Sequence, residues 1–184
     1  MLFLQFHTLL SLFRSYYSLD MRNFLLILYS FTFYLSADLK VSLDQELKTL
    51  MPKVIEWRHD IHEHPELGNR EFRTSNKVKV HLEGLGIKVE SGIAYTGVVG
   101  LIEGGKPGPT IALRADMDAL PVEEKTGLPF ASKVRTKYLG NDVGVMHACG
   151  HDAHVAILMG VAEFLAKNKS ELKGNVMLIF LPAE

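Results

Sequence analysis

Cys149, the only cysteine of the chain, stands two residues before His151 in the run Met146-His147-Ala148-Cys149-Gly150-His151-Asp152. A thiolate and an imidazole so close can be directed at one metal ion, or at two that share a ligand, because sulfur and nitrogen suit zinc-like ions. A lone cysteine forms no internal disulfide, so a structural staple does not explain it. A small buried thiol beside an ordinary histidine is the plainer reading, and Cys-x-His alone does not exclude it. Gly150 reads as a turn that opens a helix, which sets Cys149 where the backbone dipole favours a thiolate.

Carboxylates follow apolar strands in two other places. Thr110 to Leu113 reads as a strand running into Asp116 and Asp118, and open α/β sheets collect ligands at that edge. The two aspartates have the same parity and share a face if strand geometry continues. Like charges so near each other are costly unless a cation or an orienting donor compensates; a solvated acidic turn is the alternative. Val176 to Leu181 is a second, strongly apolar strand, followed by Pro182, Ala183 and Glu184. Three segments thus deliver thiol, imidazole and acid groups beyond apolar elements. That convergence reads as a site.

The strings RADMDALP, MHACGHDAH and LPAE, with WRHDIHEHPELG upstream, resemble the aminoacylase/glutamate-carboxypeptidase superfamily of dinuclear metallohydrolases. Within it the chain looks most like N-acyl-amino-acid amidohydrolases of the hippurate hydrolase and plant auxin-conjugate hydrolase type. The similarity runs from about Leu43 to Glu184. The resemblance implies a three-layer α/β/α metallopeptidase-like catalytic domain with a mixed sheet. It implies two divalent metal ions in the complete enzyme, zinc or manganese, with cobalt or nickel as further options. Cys149 and His151 match metal ligands of that subgroup. Glu184 matches the glutamate that acts as general base, and Asp118 the aspartate that orients the site behind a ligand. Asp116 sits where other subgroups have a ligand histidine. Leu181 departs from the glutamine usual before that proline, which concerns the pocket wall.

The resemblance also implies groups beyond Glu184: a further glutamate ligand, two histidine ligands and a small lid domain. The expectation is a truncated catalytic domain over residues 38–184, inactive by itself, with a homodimer only where the missing domain is present. The implied substrate is a small N-acyl amino acid.

The chemistry of the residues agrees. Amide hydrolysis needs an activated water, a polarised carbonyl and a proton donor for the leaving amine. Divalent metals supply the first two, and a carboxylate can take a proton and return it to nitrogen. A non-catalytic remnant or partial metal-binding module is the rival reading. A cysteine nucleophile is weaker, since it leaves the aspartates and Glu184 without a role and no G-x-S-x-G elbow occurs.

Other histidines are weighed separately. His62 and His64 resemble a metal cluster by composition, but two-residue spacing on a helix splays them and Pro65 ends that helix. Packing and helix termination explain them better than ligation. His154, one helical turn after His151, reads as structural or as support for a ligand, and His147 is similarly open. His7 and His81 have no constellation.

A hydrophobic content of 47% in 184 residues is enough for the core of one ordinary domain. A net charge of −1 offers no electrostatic case for nucleic acid. The glycines at 104, 105 and 108 read as a turn, not a phosphate cradle. At the N-terminus, Met21-Arg22-Asn23 precedes an apolar run from Phe24 to Tyr34, then Leu35-Ser36-Ala37. That is the form of a secretory signal over residues 1–37, with Met21 a candidate true start. The expectation is an exported protein, periplasmic or secreted, tethered to a membrane if the leader stays uncleaved. No stable span is expected, because the run falls short of the ~20 apolar residues a spanning helix wants.

The elements that must position the site follow from periodicity. Ser42 with Gln45 suggests a capping box, and Leu47, Leu50, Met51, Val54, Ile55 and Ile61 form a helical stripe to about His62. A second helix is expected from Glu71 to Leu85, ending at Gly86. Strands are expected near Ile87–Glu90, Gly97–Glu103 and Thr110–Arg114, the last two as a hairpin. Pro121 to Asn141 reads as a loop-rich excursion, which the resemblance places at the border of the substrate pocket. Asp152 to Ala166 is a buried helix, and Gly174 to Leu181 a core strand.

Overall fold

The structure, a computed structural model, describes residues 43–183. The signal-like segment, the capping Ser42 and Glu184 lie outside the described residues. The chain divides into two compact units, Met1–Thr49 and Leu50–Glu184. Of the first, residues 43–49 are described and are helical.

The second unit opens with helix α1, residues 50–63. After it come α2 (Phe72–Gly84), β1 (Lys88–Ile93), β2 (Gly97–Ile102) and β3 (Lys106–Asp116). Then follow β4 (Arg135–Tyr138), β5 (Asn141–Gly144), α3 (His151–Lys167), a 3-10 turn at Lys169–Glu171 and β6 (Lys173–Leu181). One sheet has the order β1-β2-β6-β3, and β4 and β5 form a separate hairpin. β6 runs antiparallel to β2 and parallel to β3, so the main sheet is mixed.

Strand alternation sets the core. Val176, Leu178 and Phe180 of β6 are buried while Met177, Ile179 and Leu181 between them are half-buried. The buried face packs against Val78 and Leu82 of α2, Val155, Met159 and Ala162 of α3, and Ile61 of α1. Truncating a buried aromatic such as Phe180 to alanine costs about 3–5 kcal/mol. The helical stripe of α1 divides: Ile61 is buried and Leu50 and Val54 half-buried, whereas Met51 and Ile55 are exposed. Gly160 of α3 admits Val54, whose Cγ2 would lie 2.7 Å from a Cβ there. Glu66 caps α2 from outside the helix by accepting the backbone N–H groups of Arg73 and Thr74 at 2.9 and 2.8 Å.

One pairing expectation is corrected. β2 and β3 do not form a hairpin: β6 lies between them, and β2 instead pairs with β1. Backbone of the later chain fills the gap, since a Cβ on Gly104 would meet the Gly174 carbonyl and one on Gly108 the Gly174 nitrogen. The glycines are there for close approach, not for a two-strand turn. The expected loop after Pro121 also contains strand β4, which turns into β5 through Leu139 and Gly140, both at positive φ.

Candidate metal centre

The parallel strands β3 and β6 finish together. Asp116 is paired with Leu181, and the Met117 N–H donates to the Leu181 carbonyl at 3.0 Å. Asp116 and the segment leading to Glu184 therefore share the C-terminal edge of the sheet. Arg114, two residues back on the same face, donates from Nε to Asp116 Oδ1 at 2.7 Å. That bond orients a carboxylate that is itself buried.

The start of α3 meets this edge. Gly150 precedes the helix at φ +88°, a left-handed turn that glycine adopts without strain, and His151 is the first helical residue. Its ring is buried, with Nδ1 2.9 Å from the Asp118 carbonyl oxygen and 3.1 Å from the Asp118 carboxylate. Donation from Nδ1 leaves the lone pair of a neutral imidazole on Nε2, the tautomer a metal ligand needs. His154 lies one turn along, its ring centroid 5.3 Å from that of His151 and its Nδ1 3.5 Å from Asp116 Oδ2.

Asp116, His151 and His154 each offer a ligand atom, and these atoms lie within 4.8 Å of one another. Two imidazoles and a carboxylate suit a divalent ion such as zinc or manganese, and the Asp118 bond to His151 supplies the outer support such ligands need. The donor set fits a metal. Cys149 is exposed at the turn before α3 and is not part of this three-residue group. Of the sequence-derived set of Cys149, His151, Asp118 and Glu184, the structure brings His151 and Asp118 into direct contact, and Glu184 lies outside the described residues. Asp116 and His154 join the site by register and helical spacing.

Residues 112–184 match the model of peptidase family M20/M25/M40. Thermostable carboxypeptidase 1 of Saccharolobus solfataricus is 51% identical over 148 residues, covering 80% of this chain and 36% of that protein. The N-acetyl-L-cysteine deacetylase of Bacillus subtilis is 48% identical over 138 residues, covering 75% of this chain and 31% of that protein. A Bacillus subtilis crystal structure, described as a dinuclear metal binding peptidase from the M20 family, superposes with a TM-score of 0.67 at 46% identity. It covers 74% of this chain and 36% of that one. The chain belongs to the M20 peptidase and amidohydrolase family. It spans about a third of the length of these curated relatives.

Behind the cluster, this M20 chain holds a buried polar network. Asp152, next to His151, accepts from His62 Nδ1 at 2.9 Å and from Arg58 Nε at 3.0 Å. Burial pushes the Asp152 carboxyl up, but His62, His147 and Arg58 together hold it below the usual carboxylate range. His62 Nε2 reaches Glu124 at 3.2 Å, and Phe130 stacks on His59 with centroids 3.8 Å apart, so the segment after Pro121 is pinned to α1. His64 is exposed and donates to the Asp60 carbonyl at 2.9 Å. The two histidines are splayed, one into a buried ionic contact and one onto the helix end, and neither joins the metal cluster. Burial above all pushes the His147 imidazole down to about 4, against the pull of Asp152 and Asp118. It is a neutral ring in the site wall, with both nitrogens buried and without a hydrogen-bond partner among the described residues.

Proposed function

We propose that this protein hydrolyses the amide bond of small N-acyl amino acids with divalent metal ions held at the ends of β3 and α3. The convergence of Asp116, His151 and His154, with His151 fixed by Asp118, is the observation that carries the reading. The names of the relatives, a carboxypeptidase and an N-acetylcysteine deacetylase, both describe cleavage of an amide beside an amino acid. The N-acyl amino acid is preferred on the MHACGHDAH and RADMDALP strings.

His151 and Cys149 would hold the ions, with Asp116 and His154 completing the donor set on this chain; two ions, zinc or manganese, are proposed for the complete protein. When bound, such ions polarise the amide carbonyl and lower the pKa of water. Asp118 keeps the Nδ1 proton of His151 in place and so presents Nε2. Glu184 takes one proton from the attacking water at its carboxylate as the water oxygen bonds to the carbonyl carbon. It returns that proton to the amine nitrogen as the carbon–nitrogen bond breaks. Arg114 keeps the Asp116 carboxylate aimed at the two imidazoles.

The test is hydrolysis of N-acetyl-methionine by the full-length protein. Turnover should disappear with a chelator and return with zinc or manganese. Turnover indifferent to chelation contradicts the proposal.

A further inference from the structure

Glu71, the residue before α2, is a carboxylate with no exposed surface. Its two oxygens serve two separate parts of the chain. Oε2 accepts the Thr96 hydroxyl at 2.6 Å, and Oε1 accepts the Ala183 backbone N–H at 3.0 Å. A buried carboxylate is expensive, and an apolar side chain of similar volume would fill the same space without that desolvation. What the apolar residue could not do is hold the Ala183 amide.

Ala183 is where holding matters. Its φ is +46°, a left-handed conformation that a residue with a Cβ keeps only when its surroundings impose it. Those surroundings close in on the turn that leaves β6. A Cβ at position 68 would lie 2.9 Å from the Ala183 Cβ, and one at position 97 would lie 3.1 Å from Pro182 Cδ. Glycine at these positions lets the loop before α2 and the start of β2 press on the turn from two sides. The bond from Met117 to the Leu181 carbonyl fixes its beginning. The next residue is Glu184.

We propose that Glu71 is a positioning residue for Glu184. Its bond to the Ala183 amide holds the turn that leaves β6, from which the chain runs directly on to Glu184. Thr96 holds the other oxygen and keeps Glu71 from turning away. The inference rests on the proposed role of Glu184 and extends it to a residue that touches neither substrate nor metal.

Glu71→Met and Thr96→Val are compared with Glu184→Gln in the full-length protein, reading kcat, KM, bound metal and Tm with N-acetyl-methionine. Glu71→Met should lower kcat about 10- to 100-fold, the scale expected when a reacting group is misplaced by about an ångström. KM and bound metal should stay within about twofold of the parent. Thr96→Val should shift kcat in the same direction, by less. A folded Glu71→Met with parental kcat overturns the inference, as does a loss confined to Tm or to bound metal. If Glu71→Met does not fold, parental kcat in Thr96→Val overturns it. Turnover kept by Glu184→Gln removes the base assignment and this inference with it; turnover lost there but kept in Glu71→Met removes this inference alone.

Discussion

The Nδ1 nitrogen of His151 lies 2.9 Å from the carbonyl oxygen of Asp118 and 3.1 Å from its carboxylate. One residue thus holds the imidazole through both its backbone and its side chain. Asp118→Asn keeps the backbone acceptor and loses the charged one. Metal affinity should fall about 10- to 100-fold while the fold is retained. Titration against a competing chelator measures it, and unchanged affinity would show that the carboxylate does not support the ligand.

Cys149 and the Asp116–His151–His154 group can be told apart by substitution. Cys149→Ser replaces a soft, readily ionised donor with a poor one, and metal occupancy and rate should both fall. His151→Ala should do likewise by deleting a donor common to the motif and the cluster. Elemental analysis of each variant gives the answer; full occupancy in Cys149→Ser would leave the thiol without a ligand role.

Local patterns were legible where they were strong. The periodicity of α2, α3 and β6 places each within a few residues of its observed bounds. The β2–β3 hairpin was not legible as false, because the strand that separates them, β6, comes about 70 residues later and local turn residues do not encode it. Pro107 and Pro109 concealed the first half of β3, which is tolerated because β3 is an edge strand among the described residues, with an irregular register between Lys106 and Thr110. Cys149, His151 and Asp118 come from motifs, and of these His151 and Asp118 meet in the structure. The approach of His154 to Asp116 depends on the docking of α3 against β3, which spacing alone does not give. Glu71 left no signal at all, since a buried carboxylate and a solvated one at a helix start read the same.

Asp60 supplies a pH test of the scaffold that joins α1 to α2. Partial burial raises its carboxyl pKa, but Arg73 and Lys77, each 2.7 Å away, outweigh this and hold it at about 2 against an ordinary 3.8. Between these values the unfolded chain binds the proton and the folded one does not. The contribution is therefore complete above about pH 4 and is lost as pH falls through about 2. After allowance for solvent screening it amounts to about 1 kcal/mol. Asp60→Asn should lower stability by that amount at pH 7 and flatten the acid limb of a denaturation series; an unchanged limb contradicts the pairing.

The pattern from Met21 to Ala37 leads us to propose export. Expressed with its native N-terminus in a Gram-negative host, the protein should reach the periplasm and begin after about Ala37. Among the described residues no helix is long and apolar enough to cross a membrane. N-terminal sequencing of the recovered protein decides, and uncleaved chain in the cytosol would end the proposal.

The most direct measurement pairs metal analysis with kinetics on Glu184→Gln in the full-length protein. An amide cannot accept the proton of the attacking water, while the groups assigned to hold the metal are untouched. The account predicts metal content equal to the parent and a fall in kcat for N-acetyl-methionine of about 10²- to 10⁴-fold. Near-parental turnover, or metal lost together with rate, would contradict the division of labour between Glu184 and the cluster at Asp116, His151 and His154.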